Sequence, residues 1–268
     1  MDFTGIIAEY DPFHNGHAAQ LAAVRAAGAQ CIAVCMSSGA VQRGGVPILP
    51  ESVRVRAALD AGADLVVALP APYACATAEQ FAAAGVHLLA ALGCDTLAFG
   101  AETPDAAALL DTARLLDGEE LNARIRQNLA TGMTYAAARA AAADALHPGT
   151  GSLLRTPNNI LGIEYCKAIL HRHAALTPLA LPRLGAAHGG GAGAHAGTPM
   201  ASASFLRGLP QPDWEPFVPA RAAELYGRAA ADGLLLDGAR LETAVLALLR
   251  MQDPADFAQV RGVSEGLE

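Results

Sequence analysis

The segment from Thr4 to Gln20 constrains this chain most, because it joins a buried strand, a tight turn and a helix start. The apolar run from Ile6 to Ala8 predicts the strand, and Asp11-Pro12 is a turn signal. Asn15 is the predicted cap of a helix that begins near Gly16 and runs to about Ala27. We therefore expect the free N–H groups of that helix to face the turn, where they favour an anion.

His14 and His17 stand at the predicted helix start, three residues apart and so on one face of the helix. For a bare His-x-x-His pattern, a solvated helix start or a satisfied pair of core histidines is the simpler interpretation. A metal site is a further alternative, although no third ligand lies at a useful spacing. Gly16 lets a ligand approach the backbone closely. The whole segment therefore indicates a nucleotide with its phosphates over the helix start.

Strand-like and helix-like segments alternate along much of the chain. Predicted strands follow at residues 31–36, 64–69, 95–99 and 176–181, and predicted helices at residues 51–61, 77–92 and 157–173. This alternation predicts βαβ units, and hence an α/β fold with a Rossmann-like, doubly wound parallel sheet. Ligands of such sheets bind beyond the carboxyl ends of the strands.

The C-terminal part is predicted to be helical after one glycine-rich interruption. Residues 185–197 form a low-complexity segment that predicts either a lid or a solvated linker. Pro210 and Pro212 then mark a boundary. We predict a ligand-binding domain over residues 1–210 and the start of a helical C-terminal region over residues 211–268, which ends as if cut.

Composition limits the class of protein and its partners. The net charge is −8 and Lys167 is the lone lysine, so a broad basic surface for nucleic acid is not expected. The five cysteines stand without a Cys-x-x-Cys pair, which is typical of buried thiols in a reducing compartment. No apolar run is long enough to span a bilayer, and no signal peptide is recognised before the first strand. We expect a soluble cytoplasmic protein.

Two loops after predicted strands carry residues of interest. Gln42-Arg43-Gly44 follows the second strand, and Gly100 ends the fourth, where a base or ribose can pack on the backbone. A solvated loop and a simple strand-ending glycine are the plainer interpretations of these features. Arg54 and Arg56 on the next helix are expected at the surface, with contact to phosphate or RNA as the alternative.

Two helix starts carry groups suited to a ligand. Asn158 and Asn159 predict one helix cap and one side chain that reads a ligand edge, with capping alone as the alternative. A helix expected at residues 200–209 places Ser204 and Arg207 on one face, where a hydroxyl and a guanidinium suit the β- and γ-phosphates of a nucleotide. A helix cap with an exposed arginine is the plainer interpretation of that pair.

His-x-Gly-His directly after a first buried strand and a Pro-Phe turn resembles the signature of the HIGH-type nucleotidyltransferase superfamily. In that superfamily the two histidines stabilise the phosphates of ATP while the α-phosphate is attacked, a role that rests on positioning and charge. Further motifs resemble, in order and over essentially the whole chain, the tRNA(Met) cytidine acetate ligases. These motifs are Ile-Ile-Ala-Glu-Tyr-Asp-Pro-Phe-His-Asn-Gly-His at 6–17, Val-Gln-Arg-Gly at 41–44, Ala-Asp-Leu-Val at 63–66, Phe-Gly-x-Glu at 99–102 and Pro-Asn-Asn-Ile-Leu-Gly-Ile-Glu-Tyr at 157–165.

The resemblance implies an ATP-dependent acetate ligase whose ATP-binding catalytic domain covers residues 1–210. The family uses ATP, expected here with Mg²⁺, and acetate to form acetyl-adenylate, and then converts the wobble cytidine of elongator tRNA(Met) to N4-acetylcytidine. By motif match His14 and His17 are the catalytic residues, and no metal ligand or covalent nucleophile is assigned. The implied ATP site comprises Ile7, Ala8, Glu9, Tyr10, Asp11, Pro12, Phe13, His14, Asn15, Gly16, His17, Ala18, Ala19, Gln20, Gly100, Asn158, Arg183, Ser204 and Arg207.

Three features depart from the family pattern. Asp11 stands where the family usually has asparagine, Glu51 stands where it usually has lysine, and the chain stops where the family continues. An anion at position 51 is expected to weaken ATP or RNA binding if that side chain contacts them, and the missing part would help to hold tRNA. A small-molecule adenylyltransferase and an inactive nucleotide-binding remnant therefore stay open as alternatives. The sequence leaves the oligomeric state undecided.

Overall fold

The computed structural model describes residues 1–183, 191–258 and 260. Its centre is a five-stranded parallel sheet in the order β3-β2-β1-β4-β5. The strands are β1 (Phe3–Ala8), β2 (Cys31–Ser37), β3 (Leu65–Leu69), β4 (Thr96–Ala101) and β5 (Thr177–Pro182). The strand order reverses between β1 and β4, so the sheet is doubly wound and the predicted Rossmann-like fold is confirmed.

Helices cover both faces of this sheet. Those of the first half are α1 (Asn15–Ala26), α2 (Glu51–Asp60), α3 (Ala71–Ala74), α4 (Ala78–Ala91), α5 (Ala106–Leu116) and α6 (Glu119–Ala130). Those of the second half are α7 (Tyr135–Leu146), α8 (Thr150–Leu153), α9 (Pro157–Arg172), α10 (Ala203–Arg207), α11 (Ala220–Ala231), α12 (Gly238–Met251) and α13 (Pro254–Phe257). One core lies between the sheet and α4, α5 and α9, and the other between the sheet and α1, α2 and α11. No helix in the described residues is both long and apolar enough to cross a bilayer.

Strand β1 lies in the middle of the sheet, and its side chains alternate between the two cores. Ile6 packs on the α1 side and Ile7 on the α4 side, as the strand period of two requires. Two glycines let α4 lie close against this strand. A Cβ on Gly85 would come 2.5 Å from Ile7 Cδ1, and a Cβ on Gly5 would come 2.6 Å from Leu89 Cδ1. Because α4 follows the end of β3, its first turn lies at the carboxyl edge of the sheet.

The segment after residue 210 packs on the same core as β1. The Tyr226 hydroxyl donates a hydrogen bond to the Phe13 carbonyl oxygen at 2.9 Å, and Trp214 Nε1 donates to the Leu209 carbonyl oxygen at 3.2 Å. Helices α11 and α12 confirm the predicted helical character of this region. Residues on both sides of the predicted division after residue 210 share one core, and the division itself stays a prediction.

The region around the glycine-rich segment differs in part from the prediction. Gly193–His195 (β6) and Thr198–Met200 (β7) form an antiparallel hairpin, so the prediction of a helix from residue 200 is wrong. Pro199 explains the difference, since proline favours an extended conformation for the residue before it. Within the predicted segment 200–209, only the residues of α10 are helical. The lid or linker stays a prediction because residues 184–190 lie outside the described residues, as do residues 261–268 at the chain end.

Arg54 on α2 is buried, which corrects the expectation that it lies at the surface. Its guanidinium donates hydrogen bonds to the backbone carbonyl oxygens of Glu9 (2.8 Å), Ser37 (2.8 Å), Ser38 (2.5 Å) and Leu49 (3.2 Å). A guanidinium can serve several carbonyls at once because it carries five N–H groups in a fixed plane. Arg54 therefore joins the loops that follow β1 and β2 at the carboxyl edge of the sheet.

Arg54→Met is expected to lower the free energy of unfolding by about 3 kcal/mol or more, because several buried carbonyl groups lose their donors. Urea denaturation followed by circular dichroism measures the change. Arg56→Met is the matched control on the same helix, since Arg56 is exposed and pairs with Asp60 at 2.8 Å. The control should cost less than about 1 kcal/mol. Equal losses in the two variants would contradict the role given to Arg54.

Candidate active site

A cavity of about 910 Å³ opens at the carboxyl ends of β1 and β4. Ala8 at the end of β1 and Gly100 in β4 line it, and the starts of α1, α4, α9 and α10 complete its wall. The cavity lies where the strand order reverses, which is the position at which doubly wound sheets bind their ligands. Its volume is ample for a nucleotide together with a second small substrate.

The start of α1 is capped by His14, which corrects the expectation that Asn15 is the cap. His14 Nδ1 accepts a hydrogen bond from Gly16 N at 3.1 Å, and His17 Nδ1 accepts one from His14 N at 3.3 Å. Asn15 is the first helical residue, and its side-chain amide donates to the carbonyl oxygens of Pro199 (2.9 Å) and Pro216 (3.2 Å). Asn15 thus links α1 to the β6–β7 hairpin and the segment that follows it.

The protonation of the two histidines follows from these hydrogen bonds. Because each Nδ1 accepts a backbone N–H, each neutral ring carries its proton on Nε2 and can donate it to an anion. Burial, followed by repulsion from Arg183, lowers the pKa of His14 to about 4. Burial, followed by repulsion from His14 and Arg183, holds the pKa of His17 well below its usual range. Both rings are therefore neutral hydrogen-bond donors at pH 7.

Aromatic packing holds the histidine rings in place. The His14 and His17 rings stack with centroids 3.7 Å apart. His17 also packs against Tyr10 at 4.8 Å and Phe13 at 5.6 Å, and these two rings meet edge to face. The sequence Tyr-Asp-Pro-Phe thus supplies the support that orients the second histidine, in addition to the turn that precedes it.

The start of α9 is bonded by Glu102, so the prediction that an asparagine caps this helix is wrong. The Glu102 carboxylate accepts hydrogen bonds from Asn158 Nδ2 (2.7 Å) and Asn159 N (2.9 Å). Thr156 is at the N-cap position and makes no side-chain capping bond. Burial works against the carboxylate, but the hydrogen bonds from the two asparagines outweigh it and lower the pKa of Glu102. Arg183 Nη1, which follows β5, lies 3.9 Å from Glu102.

Helix α10 brings Ser204 and Arg207 to the cavity. The cap of this helix is Ser202, whose hydroxyl accepts from Phe205 N at 3.2 Å and lies 3.1 Å from the Ser204 hydroxyl. Arg207 Nη1 donates to the Asp11 carbonyl oxygen at 2.6 Å and lies 3.6 Å from its carboxylate. Arg207 is thereby fixed to the turn that carries the histidine pair.

The cavity gathers most of the residues that the motifs predict. The exceptions, which do not line its wall, are Pro12, Phe13, Asn15, Ala18 and Ala19. Phe13 is sealed in the core, and α1 directs only one of its faces to the cavity. A contiguous motif of this kind marks the segment that forms a site, but side chains on the far face of a helix or in the core cannot reach a ligand.

A second side of the cavity was not predicted from the sequence. It is built from the segment before α4, the first turns of α4 and the inner face of α9, and its residues are Cys75, Ala76, Thr77, Ala78, Phe81, Phe99, Arg155, Pro157, Ile160, Leu161 and Tyr165. Phe99, Pro157, Ile160, Leu161 and Tyr165 lie within the motifs at 99–102 and 157–165, which could have marked them. The other residues lie outside those motifs, and no local signal distinguishes them. Within the described residues, no group of three or more His, Cys, Asp or Glu side chains is arranged to hold a metal ion.

Comparison with known proteins places the chain in a family. A family model described as HIGH Nucleotidyl Transferase matches residues 1–268. The tRNA(Met) cytidine acetate ligase of Latilactobacillus sakei is 36% identical over 275 residues, which span 100% of this chain and 67% of the relative. This chain belongs to the tRNA(Met) cytidine acetate ligase family of HIGH nucleotidyl transferases. The ligase of Syntrophotalea carbinolica is 40% identical over 252 residues, 92% of this chain and 60% of the relative.

Solved structures of the family agree with this fold. Thermotoga maritima TmcAL bound with alpha-thio ATP superposes with a TM-score of 0.85 at 25% identity, covering 99% of this chain and 65% of that one. The apo form of the same protein gives a TM-score of 0.89 at 26% identity and covers 66% of that chain. The chain thus spans about two thirds or less of the length of these family members.

Acidification should destabilise the folded protein through His14. The folded pKa is about 4, whereas an unfolded histidine titrates near 6.5. Between these values the unfolded state binds more protons, so stability is complete above pH 6.5 and declines as the pH falls towards 4. The decline attributable to His14 amounts to up to about 3 kcal/mol. Chemical denaturation at a series of pH values measures it.

His14→Asn should flatten this pH dependence, because asparagine keeps a capping acceptor for Gly16 N but does not titrate. His173→Asn is the control, since His173 is exposed and has a positive φ of 49° that asparagine tolerates. Equal flattening in both variants would show that burial of His14 is not the source of the effect.

Proposed function

We propose that this chain is an ATP-dependent acetate ligase that converts the wobble cytidine of elongator tRNA(Met) to N4-acetylcytidine through acetyl-adenylate. The observation that carries the proposal is the convergence of the stacked, neutral His14 and His17 with Arg183, Ser204 and Arg207 on one cavity. Donors of this kind suit a triphosphate, and the family membership supplies acetate and tRNA as its partners. A tRNA substrate implies that the protein works in the cytoplasm.

In the first step an acetate oxygen attacks the α-phosphorus of ATP. A new P–O bond forms, the bond to the bridging oxygen of the β-phosphate breaks, and pyrophosphate leaves. His14 and His17 donate their Nε2 protons in hydrogen bonds to phosphate oxygens, and Ser204 and Arg207 hold the departing pyrophosphate. Gly100 lets the nucleoside lie against the backbone. Fixed donors stabilise the developing charge without reorganisation.

Arg183 and Asn158 complete the nucleotide site in this proposal. Arg183 lies just beyond β5, where its backbone N–H donates to the Ala101 carbonyl oxygen at 3.1 Å. Glu102 holds Asn158 by its amide group at 2.7 Å, which leaves the Asn158 amide oxygen as an acceptor for the ligand. Glu102 follows β4, Arg183 follows β5 and Asn158 lies at the start of α9. The nucleotide would therefore be held between these three elements.

In the second step the exocyclic amine of cytidine attacks the acetyl carbon of acetyl-adenylate. The new C–N bond replaces the C–O bond to AMP, AMP leaves, and the amine loses one proton. No side chain forms a covalent intermediate, because adenylation already provides a good leaving group. The buried cysteines agree with this scheme, since burial raises the pKa of Cys35 and Cys166 to about 12 and keeps them as unreactive thiols.

Mg²⁺ would enter with ATP as part of the substrate. The carboxylate nearest the phosphate donors, Asp11, is 3% exposed and accepts a hydrogen bond from Ile48 N at 2.7 Å, so it is committed to the fold. A resident magnesium cage therefore does not fit the described residues. Mg²⁺ usually keeps several waters and binds through substrate phosphates, which agrees with this arrangement.

The departure at Glu51 does not bear on the ATP cavity. Glu51 is exposed in the first turn of α2 and does not line the cavity wall. A carboxylate in a first helical turn interacts favourably with the helix dipole. We therefore expect Glu51 to be compatible with ATP binding. An effect on tRNA would have to arise at the outer surface of α2.

The experiment that tests the proposal is acetate-dependent release of pyrophosphate from ATP, with and without tRNA(Met), followed by mass spectrometry of the tRNA nucleosides. N4-acetylcytidine is the expected product. Pyrophosphate release without acetylcytidine would mean that adenylation proceeds but tRNA modification needs the further length present in the relatives. ATP binding without pyrophosphate release would overturn the ligase proposal in favour of an inactive nucleotide-binding remnant.

His14→Asn should lower the rate of acetyl-adenylate formation by about a hundredfold or more, because one phosphate donor is lost while the helix cap is kept. Pyrophosphate release at saturating ATP and acetate measures the rate, and the thermal midpoint checks the fold. A variant with an unchanged rate would remove His14 Nε2 from the mechanism.

Arg183→Ala should weaken ATP binding by about tenfold, since a charge-assisted contact to the nucleotide is lost. Isothermal titration with ATP measures the affinity. Arg172→Ala is the control, because Arg172 is exposed at the far end of α9. An ATP affinity equal to that of the unmodified protein would contradict the position given to Arg183.

A further inference from the structure

The start of α4 is an open helix terminus on the cavity. The Thr77 hydroxyl caps it by accepting a hydrogen bond from Gln80 N at 3.4 Å. The backbone N–H groups of Ala78 and Glu79, the first two helical residues, donate to no acceptor in the described residues. Ala76, Thr77 and Ala78 all line the cavity. Free N–H groups at a helix start carry partial positive charge and favour an anion.

At the other long helices that begin at this cavity, a side chain accepts from the second N–H group. At α1, Gly16 N donates to His14 Nδ1. At α9, Asn158 N and Asn159 N both donate to the carboxylate of Glu102, at 3.3 Å and 2.9 Å. Glu102 is thus an internal example of a carboxylate held by a helix start at the cavity. The first turn of α4 has the same kind of donors, and no carboxylate accepts from them within the part of the chain that the structure describes.

Tyr165 supplies a side-chain donor on the same side of the cavity. It is 2% exposed, its ring lies 5.5 Å from that of Phe99, and it lines the cavity wall. Its hydroxyl has no hydrogen-bond partner in the described residues, but it keeps contact with solvent. The hydroxyl therefore reaches the cavity. Burial, followed by the charge of Glu9, raises the pKa of Tyr165, so the phenol keeps its proton for donation.

The packing of α4 on α9 places these donors at the same level. Lys167 Nζ lies 3.4 Å from Glu79 Oε1, and Arg172 Nη1 lies 3.4 Å from His87 Nδ1. The two helices therefore run parallel, with both starts at the carboxyl edge of the sheet. Tyr165 precedes Lys167 by two residues, about 3 Å along the helix axis, so it is level with the first turn of α4. Tyr165 belongs to the same core as Phe81 of α4, and both residues line the cavity with Thr77 and Ala78.

The charged side chains beside the start of α4 are paired with one another. Glu79 is offset by Lys167, which also lies 3.3 Å from Glu164, and Glu164 pairs with Arg139 at 3.0 Å. The carboxylates beside the first turn of α4 are thus offset by cations, so they do not oppose an anion at the helix start.

The geometry points to a carboxylate subsite formed by the open start of α4 and the Tyr165 hydroxyl, which holds a short monocarboxylic acid. This inference rests on the proposed function, in which that acid is acetate. One carboxylate oxygen is held by the N–H groups and the phenol, which leaves the other free to attack the α-phosphorus. The methyl group lies against Ile7, Phe81 and Leu161, which line the same side of the cavity.

Ala78→Pro removes one of the proposed donors without breaking the helix. Proline is favoured at the first helical position, and the preceding Thr77 already has an extended ψ of 158°. Acetate affinity is expected to fall by about tenfold. Ala220→Pro is the matched control, because Ala220 is the exposed first residue of α11 and follows Pro219 with a ψ of 145°.

Tyr165→Phe removes the other donor and keeps the buried ring. Acetate affinity is again expected to fall by about tenfold, with the ATP affinity unchanged. Tyr135→Phe is the matched control, since Tyr135 is exposed on α7 and outside the cavity. Circular dichroism and the thermal midpoint establish that each variant is folded.

The readout is binding of [1-¹³C]acetate by NMR titration of the full chain in the presence of a non-hydrolysable ATP analogue, together with the KM values for acetate, ATP and tRNA. Loss of acetate affinity in both variants and in neither control supports the subsite, whether or not the protein releases pyrophosphate. Acetate binding by the subsite without pyrophosphate release would overturn the proposed function alone. Unchanged acetate affinity, an effect in one variant only, a rise in the KM for tRNA alone or no acetate binding by the unmodified protein would overturn the subsite.

Discussion

The unpaired N–H groups at the starts of helices are the constraint on which this site depends. In a parallel sheet each strand is followed by a helix that runs back, so helix starts collect at the carboxyl edge of the strands. Here α1, α4 and α9 begin on one cavity. Each start needs an acceptor, and the protein meets the need differently at each. A histidine accepts from the start of α1 and a glutamate from the start of α9, whereas the first N–H groups of α4 have no acceptor among the described residues.

This arrangement explains how a protein with a net charge of −8 can have a cavity whose donors suit an anion. The donors are local: backbone N–H groups, neutral imidazoles and the guanidinium groups of Arg183 and Arg207. The buried guanidinium of Arg54 stabilises the loops after β1 and β2 by donating hydrogen bonds to their carbonyl oxygens. Because these donors are fixed by hydrogen bonds and packing, little reorganisation is required when a charged ligand enters. The overall charge of the surface therefore matters less than the orientation of a few dipoles.

Prediction from sequence succeeded where the signal is local. The strand, turn and helix start around His14 and His17 form one contiguous segment, so their proximity follows from chain geometry alone. It failed at details that depend on a distant partner. The cap of α9 comes from Glu102 rather than from either asparagine, and Arg54 is buried because carbonyl groups from separate loops surround it. Helix propensity is a local property, so it does not predict partners that lie far away in the chain.

The sequence by itself determined the α/β class, the order of the main strands and helices, the family and the segment that forms the histidine pair, because periodicity and contiguous motifs encode them. The tertiary structure alone decided which side chains reach the cavity. It sealed Phe13 in the core, turned Asn15 towards the β6–β7 hairpin, and brought Thr77, Ala78 and Tyr165 together from two helices. The physical reason is that the packing of α4 on α9 and on β1 sets the position of residues far apart in the chain, and a local sequence pattern does not encode that packing.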